Sequence, residues 1–395
     1  MKVMTQLFCL ACLTGSLVEG VAAEESQVDC GALAHRVADG TLQCLETLAT
    51  AAKNNGTLSY SDGVWHSPAQ PKAWDSHVAA GTAAAGLWQS GLFDQMPEKK
   101  AQLRAWAVET FDRAIKEHRN TDGSFGNKEV PEGMFFLVEL STVCLRLDAD
   151  LDAERKAVWC DALLKGIGVL VDTGNLYNEK TKRNWYANGN LELDEATLLY
   201  NTYTLTQDET YKAMFERQLA FTLYPDRPRW RNFGLYYGLE PARPDGLDGR
   251  GYLAENASGF PGYDGDYTHF QSSIAAKLYL ASQDPRILRL VNLFLNQMLP
   301  HVDRETWIFD ATSGSRHSTV MPLTTPAYAV SALECNRKKL LAELDEQVSM
   351  TLAHYNKAAK EGWLHPGMYR GLNGELVTLL HACMRAADKD KKPMP

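Results

Sequence analysis

The alternation of short and long connections between helices is the feature of this sequence that most restricts its fold. Helical periodicity and helix-breaking residues predict about twelve helices, near 33–53, 74–90, 97–118, 132–147, 153–172, 191–205, 208–223, 266–282, 284–300, 323–335, 337–359 and 373–387. The connections after the second, fourth, sixth, eighth and tenth helices span only a few residues, whereas the others are long and rich in Gly, Asn and aromatic residues. Strand signals are scarce, so we predict an all-α protein.

Long connections that always follow the outer member of a helix pair have a simple geometric solution. Each pair places one helix inside and one outside, and six pairs close into an (α/α)6 toroid whose long loops surround one mouth. An open α-solenoid also alternates helices, but its repeats are about 33 to 47 residues long. The long loops here recur about every 54 to 66 residues. The spacing therefore predicts one toroid domain over 24–386.

Composition and charge exclude several other classes of protein. The chain has 395 residues, of which 45% are hydrophobic and 23% charged, as is typical of a globular protein. The net charge is −9 and no dense Lys/Arg run occurs, so we expect no nucleic-acid partner.

The N-terminus has the pattern of a secretory signal peptide. Lys2 precedes an apolar stretch, 7–18, and Val21-Ala22-Ala23 offers a cleavage site, which predicts a signal peptide over 1–23. We expect export to the periplasm or the medium, without lipoprotein anchoring, because the residues before Cys9 and Cys12 make a poor lipobox. No later segment is apolar for long enough to span a bilayer. The last residues, 387–395, are predicted to form a disordered tail.

Cysteine spacing predicts no metal site. Six cysteines follow the predicted signal peptide, and an even number in an exported chain permits disulfides, with Cys30–Cys44 and Cys144–Cys160 as the pairs to test. Buried free thiols are an equally good interpretation. No CxxC or Cys/His ligand spacing occurs, so we expect no zinc.

The long loops carry many aromatic residues, which suits a sugar-binding mouth. Aromatic faces bury the apolar faces of pyranose rings, while a few polar groups fix their orientation. Any single aromatic in a long loop can instead anchor that loop to the rim. Substrate-binding roles are predicted for Trp65, His66, Tyr252, Tyr263 and Trp307.

The loop before the sixth helix adds amide groups to these aromatics. Arg183, Asn184, Trp185 and Tyr186 are predicted to bind substrate, and 188–190 contains two more asparagines. Amide side chains at a positively polarised helix N-terminus suit a bound carboxylate. Capping of the helix is the alternative for either one of these asparagines.

Two further loops supply candidates for acid–base chemistry. Tyr267 and His269 flank the start of another inner helix, and His and Tyr are usual proton carriers for abstraction beside a carboxylate. His269 can instead hydrogen-bond inside the ring. Arg316 and His317 lie in the fifth long loop, where Arg offers a planar, two-pronged donor for a carboxylate or forms a surface ion pair.

With these residues, the chain resembles the α/α-toroid carbohydrate-active enzymes, a group of six-hairpin glycosidases and polysaccharide lyases. Within that group, the stretch 184–190 followed by Tyr267 and His269 is most similar to alginate-lyase-type enzymes. The resemblance implies β-elimination on an anionic, uronic-acid-containing oligo- or polysaccharide, without metal or other cofactor. Asn188 and Asn190, with Arg316, would neutralise the carboxylate, and His317 is a further catalytic candidate. His269 or Tyr267 would be the base, and Tyr267 the acid.

Two other functions remain open at this point. A glycoside hydrolase needs two carboxyl groups with separated pKa values across the scissile bond. The candidates are Glu192, Asp194, Glu255, Asp264 and Asp266, of which the last two are also placed to cap a helix. A non-catalytic glycan-binding protein would have the aromatic mouth without a convergent Tyr/His/Asn cluster.

Overall fold

The computed structural model describes residues 28–50, 59–61, 64–66, 73–127, 131–174, 176, 188–223, 234–255, 262–312, 320–322, 325–361 and 370–391. Twelve α-helices lie in these ranges, and a π-helical segment, Leu372–Val377, leads directly into the last of them. The helices are α1 (Cys30–Thr50), α2 (Trp74–Gln89), α3 (Pro97–His118), α4 (Glu132–Leu147), α5 (Ala153–Thr173), α6 (Gly189–Thr206), α7 (Glu209–Leu223), α8 (Gly265–Ser282), α9 (Pro285–Met298), α10 (Thr325–Glu334), α11 (Lys338–Glu361) and α12 (Thr378–Lys391).

The even-numbered helices form a closed inner ring. Helices α2, α4, α6, α8, α10 and α12 pack side by side in chain order, and the π-helical segment packs on α2 to complete the circle. Each of the first five inner helices also packs on the odd-numbered helix that follows it, whereas α12 packs on α1. The two ends of the described chain therefore form the sixth pair. The predicted (α/α)6 toroid is confirmed.

Inner and outer helices differ in how much of their surface is buried. Every residue of α2 from Asp75 to Leu87 is buried, because the helix is flanked by ring neighbours and covered by an outer helix. Outer helix α5 buries residues such as Trp159, Leu163 and Leu170 and exposes its other face. An amphipathic stripe is typical of a helix with one buried side, and an apolar surface all round is typical of a central one.

The short connections reverse the chain tightly, so all inner helices run in the same direction. Gln207 and Gln283 end α6 and α8 in the left-handed conformation, with φ of 55° and 56°. Each donates its backbone N–H to the carbonyl four residues earlier, on Tyr203 and Tyr279 respectively. The inner helices consequently begin at the end of the ring that carries the long connections.

Three of the long connections contain short antiparallel strands, which the sequence does not predict. The strands are β1 (Ser59–Ser61), β2 (Val64–His66), β3 (Leu235–Leu239), β4 (Arg250–Leu253), β5 (Val302–Asp303), β6 (Ile308–Asp310) and β7 (Val320–Pro322). They form the sheets β1-β2, β3-β4 and β5-β6-β7. Strands of two to five residues are too short to show an alternating pattern, yet they satisfy backbone groups in long loops.

The predicted termini and disulfides have different outcomes. The predicted signal peptide, 1–23, lies outside the described residues. Helix α12 continues through Lys391, five residues into the predicted tail.

All six described cysteines are free thiols, so the two disulfides do not form. Cys30 and Cys44 lie on the same helix, α1, about 21 Å apart by helical rise, beyond the reach of a disulfide. Within the described part of the chain, no helix combines the length and apolarity that a membrane span needs.

Candidate functional site

A cavity of about 410 Å³ opens where the inner helices begin. Its walls come from the N-terminal halves of α2, α4, α6 and α8 and from the segment around the π-helix. We call it the acidic cavity, after five of its lining residues: Asp75, Glu139, Asp194, Asp266 and Glu375. The lining residues also include two cations, Lys277 and Arg370, and the aromatic side chains of Phe135, Tyr267 and Phe270.

An ion pair crosses the rim of the acidic cavity. Arg370 donates from Nη2 to Oδ2 of Asp75 at 2.7 Å and from Nε to Oγ of Ser76 at 3.1 Å. Its guanidinium carbon lies 3.6 Å from the ring centroid of Phe135, a cation–π contact. Burial raises the pKa of the Asp75 carboxyl, and the charge of Arg370 opposes that rise. The pair ties the residues before the π-helical segment to the first turn of α2.

Below the rim, a buried hydrogen-bonded chain links three elements. Asn373 donates from Nδ2 to Oε2 of Glu139 at 2.8 Å. The Oδ1 atom of Asn373 accepts a bond of 2.7 Å from Nη1 of Arg146, which also donates to the carbonyl of Thr82 at 2.6 Å. All four residues are buried. The chain joins α2, α4 and the π-helical segment beneath the cavity floor.

Glu375 is a buried carboxyl with two neighbours capable of proton transfer. The hydroxyl of Tyr355 donates to its Oε2 at 2.6 Å, and Nε2 of His269 lies 3.7 Å from its Oε1. Burial raises the pKa of Glu375 to about 7, against the opposing effect of the Tyr355 hydrogen bond. The group is therefore close to half-protonated at neutral pH.

Asp194 occupies the wall formed by α6 and has only 8% of its surface exposed. Burial raises its pKa to about 6, although the positive charges of Lys277 and Arg370 oppose the rise. The negative charge of Glu139 adds to it. A carboxyl group with this pKa carries a proton in mildly acidic solution, as a general acid must.

Several of the residues predicted from the sequence lie together in the acidic cavity. Asn188, Asn190, Asp266 and Tyr267 all line it, and His269 lies one turn further along α8, in contact with Glu375. Asn188 occupies the N-cap position of α6 but makes no side-chain capping bond. The Oδ1 atom of Asn190 is buried and accepts no hydrogen bond from the described residues. A ligand hydroxyl is a suitable donor for that atom.

The predicted aromatic contacts lie elsewhere on the rim. Trp65 is buried and packs between Tyr60 and Trp106, with ring centroids 5.1 and 5.6 Å away. Trp307 is buried with its ring edge-on to Tyr328. None of these residues lines the acidic cavity. Their positions fit the alternative in which loop aromatics anchor the rim.

The tyrosines of the longest loop form a cluster of their own. Tyr252 on β4 stacks with Tyr236 on β3 and meets the edge of Tyr263, at centroid distances of 6.0 and 4.9 Å. These three side chains are also absent from the cavity lining. Cross-strand aromatic packing stabilises the β3-β4 hairpin.

Three of the candidate hydrolase carboxylates are buried outside the acidic cavity. Asp264 accepts a hydrogen bond from the backbone N–H of Tyr267 at 3.3 Å and so caps α8. Capping is one of the two roles that the sequence allows for this residue. Glu255 accepts bonds from the backbone of Asn190 and from Gln271, at 3.2 and 2.9 Å, and thereby joins α6 to α8. Glu192 is buried within α6. Of the predicted set, Asp194 and Asp266 reach the cavity.

The remaining predicted site residues lie outside the described part of the chain. They are Arg183, Asn184, Trp185, Tyr186, Arg316, His317 and, for its side chain, His66.

Sequence analysis missed most of the charged lining. The sequence analysis does not single out Asp75, Glu139, Lys277, Arg370 or Glu375. Two of them nevertheless stand in a recognisable sequence pattern. A single charge inside an otherwise apolar helical run is costly unless it faces a cavity or a partner. Glu139 interrupts such a run in α4, and Lys277 interrupts the Ala-rich part of α8.

Within the described residues, no group of three or more His, Cys, Asp and Glu side chains is arranged to hold a metal ion.

Comparisons with known proteins identify the fold. No protein-family model and no curated protein matches the chain. A solved structure of D-mannose isomerase is similar at a TM-score of 0.50 and 11% identity, covering 89% of this chain and 97% of that one. A family 76 glycoside hydrolase from a bovine Bacteroides thetaiotaomicron strain has a TM-score of 0.46 and 12% identity, covering 89% and 78%. A family 76 mannosidase from Bacteroides thetaiotaomicron VPI-5482 has a TM-score of 0.46 and 10% identity, covering 90% and 100%. At such low identity, the first likeness supports the toroid fold and nothing finer.

Proposed function

We propose that this protein is a glycoside hydrolase that cleaves a neutral sugar chain in the acidic cavity, with Asp194 as general acid. The observation that carries this proposal is the convergence of five carboxyl groups in one sugar-sized cavity, one of them with a pKa of about 6. Phe135, Tyr267 and Phe270 in the same lining are suited to stack on pyranose rings.

Hydrolysis requires one protonated and one ionised carboxyl group on opposite sides of the scissile bond. Asp194 is assigned the protonated role, because burial raises its pKa and no hydrogen bond from the described residues stabilises its charged form. Asp75 is assigned the ionised role, because its bond to Arg370 favours the charged form that activates water. In the reaction, Asp194 protonates the glycosidic oxygen and Asp75 accepts a proton from the attacking water.

The charge of the lining favours a neutral substrate over the anionic one expected from the resemblance. Among the described lining residues, five are acidic and two are cationic, and one of the cations, Arg370, is bound to Asp75. A polyuronate would bring further carboxylates into this field, at an electrostatic cost. This argument favours the hydrolase over the lyase.

β-Elimination remains the second candidate, because Asn188, Asn190 and Tyr267 share the cavity as that reaction would need. The two reactions leave different products. A lyase creates a conjugated double bond that absorbs in the ultraviolet, and a hydrolase releases a reducing end without one.

The test is to incubate the full chain with neutral oligosaccharides and, separately, with alginate, glucuronan, hyaluronan and pectin, and to follow both signals. We expect new reducing ends from a neutral substrate, abolished by Asp194→Asn and retained by Asp345→Asn, the same change on the exposed surface of α11. Ultraviolet absorbance that depends on Tyr267 would instead identify a lyase. Binding of a glycan without any product would identify a non-catalytic binding protein.

We also propose that the protein is exported through its N-terminal segment, 1–23. Expression of the complete chain in a bacterial host, followed by N-terminal sequencing of the periplasmic and medium fractions, tests this. A mature N-terminus at Glu24 is the expected result, and a chain that keeps Met1 in the cytoplasm contradicts it.

A further inference from the structure

A second cavity, of about 650 Å³, opens at the opposite end of the ring. Its walls come from the C-terminal halves of α2, α4, α6 and α8 and from α12. We call it the basic cavity, after the lining residues Arg146, Lys277, Arg385 and Lys389. Lys277 lines both cavities.

Arg146 is the most buried of these cations, with 7% of its surface exposed. Only its Nη1 atom has partners among the described residues, the carbonyl of Thr82 and Oδ1 of Asn373. Both are neutral oxygens, and no carboxylate within the described chain forms an ion pair with this guanidinium. Burial lowers its pKa to about 10, so it is charged at neutral pH. The negative charge of Glu139 opposes the effect of burial, and Asn373 lies between the two groups as a hydrogen-bonded bridge. A buried charge without a direct ion pair is costly, and a bound anion can supply one.

The backbone of α2 is shaped to admit this guanidinium. A Cβ atom at Gly86 would lie 3.1 Å from Nη1 and 3.2 Å from Cζ of Arg146, and only 2.3 Å from Cγ1 of Val377. Glycine therefore lets the guanidinium lie against the helix while its other N–H groups remain available to the cavity.

Lys277 is the second cation without an ion pair among the described residues. It takes part in no ion pair among the described side chains, although it lies close enough to Asp194 to influence that carboxyl. Arg385 and Lys389 differ, because both bind Glu334, at 3.0 and 2.7 Å.

The acidic groups at this end do not balance the cations. Glu334 serves Arg385 and Lys389 together, and Asp388 is the acidic residue in the lining. The nearby amide and hydroxyl hydrogens are already used: Asn201 donates to Ser141 and Thr142, whose own hydroxyls donate to a backbone carbonyl. Arg146 and Lys277 are therefore the cations left to recognise a ligand, beside the neutral side chains of His381 and Gln89 in the same lining.

We propose that the basic cavity binds a small oxyanion, a phosphate or a carboxylate, between Arg146 and Lys277. The free edge of a guanidinium is a planar donor that matches two oxygens of such a group, and an ammonium adds a point charge. The ligand supplies a direct ion pair, which neither side chain forms within the described residues, where Glu139 and Asp194 act on Arg146 and Lys277 only as nearby charges. The site is distinct from the acidic cavity and does not depend on the reaction proposed there.

Isothermal titration calorimetry on the full chain tests this, with inorganic phosphate in one arm and acetate in the other, at constant ionic strength set with chloride. We expect saturable binding of at least one of the two, and weakening by about tenfold or more in Lys277→Gln, since a charge-assisted bond is lost. Lys212→Gln removes the same charge from the exposed surface of α7 and should bind as the wild type does. The arm that gives binding distinguishes a phosphate from a carboxylate ligand.

Arg146→Gln should also abolish binding. Because Arg146 bridges α2 to the π-helical segment, the circular dichroism spectrum of this variant must first be shown to match that of the wild type. If that variant does not fold, Lys277→Gln decides the question. No saturable binding of either anion, or equal binding by wild type and Lys277→Gln, or equal losses in Lys277→Gln and Lys212→Gln, would each overturn the proposal. The readout is heat of binding rather than turnover, so a failed hydrolase assay does not affect it.

Discussion

Two glutamates on the inner ring, Glu375 near one end and Glu334 at the other, have pKa values shifted in opposite directions. Burial raises the pKa of Glu375 to about 7, and its hydrogen-bond partner among the described residues is the hydroxyl of Tyr355. Burial acts to raise the pKa of Glu334 as well, but hydrogen bonds from Lys389, Tyr279 and Arg385 hold it below its ordinary value. The comparison teaches that the partners, rather than burial alone, decide whether a carboxyl group in this ring carries a proton.

The same contrast separates the two cavities. Carboxyl groups collect where the inner helices begin and cations where they end, as the helix dipole favours. In the acidic cavity, burial raises the pKa of Asp194 and of Glu375, which suits proton transfer. In the basic cavity, Arg146 and Lys277 keep their charges available for a ligand. Each of the following variants alters one of the two cavities or one of the two glutamates.

The largest effect is expected from Asp194→Asn, which removes the proposed acid from the acidic cavity. We expect the rate of glycoside hydrolysis to fall by about 10²- to 10⁴-fold, the usual contribution of a general acid. Initial rates of reducing-end release measure this, and urea unfolding checks that the fold is intact. Asp345→Asn on α11 is the matched control. A variant that retains more than about a tenth of the rate removes Asp194 from the mechanism.

The next effect concerns the basic cavity and its floor. Arg146→Met should lower the free energy of unfolding by about 3 kcal/mol, because the Thr82 carbonyl and Asn373 Oδ1 lose a charged donor while remaining buried. Arg286→Met, which removes exposed ion pairs from outer helix α9, should cost less than about 1 kcal/mol. Urea unfolding followed by circular dichroism measures both. Equal losses would show that the buried chain adds nothing to stability.

The comparison between the two glutamates has a signature in the dependence of stability on pH. The pKa of Glu375 is about 7 in the folded protein and 4.5 ordinarily, so the unfolded state releases its proton first as the pH rises. The wild type should therefore lose about 2 kcal/mol of unfolding free energy through this group between about pH 5 and 8. Glu375→Gln keeps an oxygen for Tyr355 and should not show that loss.

Glu334→Gln is the matched variant at the other end of the ring and should behave in the opposite way. Because the pKa of Glu334 is lowered on folding, its ion pairs stabilise the wild type above the ordinary pKa, and this contribution is lost as the pH falls through the folded value. The variant should be less stable than the wild type at neutral pH and approach it in acid. The free energy of unfolding of both variants and the wild type is measured at neutral pH and in acid. If the two variants differ from the wild type in the same way at both pH values, the two glutamates do not have opposite pKa shifts.

The smallest effect links the two cavities. Burial raises the pKa of Asp194 and Lys277 lowers it, so Lys277→Gln should move that pKa upward. The rate should fall with rising pH as the acid loses its proton, and the variant should shift this alkaline limb to higher pH by less than about one unit. A pH–rate profile measures the shift, with Lys212→Gln as the control. A limb that does not move would place the titration on another group.

The ring could be predicted from the sequence because its pattern is carried by many residues at once. Helices α3 and α4 have the predicted bounds, 97–118 and 132–147, and the short turns at Gln207 and Gln283 lie where the pattern breaks. The convergence of Asn190 and Tyr267 followed from the same geometry, since both stand at the start of an inner helix.

The lining of the cavities could not be predicted in the same way. Inner helices are buried on all sides, so periodicity does not reveal which side faces the axis: Asp194 and Glu195 are neighbours and both are buried, but only Asp194 lines the acidic cavity. The π-helical segment that carries Asn373 and Glu375 changes the helical register, and no periodic pattern announces it.

The pairing of α1 with α12 makes the order of synthesis matter. Helix α1 cannot pair with α12 until α12 has been synthesised. The ring that holds the two cavities is therefore incomplete until that point. Contacts this distant along a chain form slowly, since the intervening loop must close first. Both cavity linings include residues from 370–389, so neither binding surface is complete before this segment has been made.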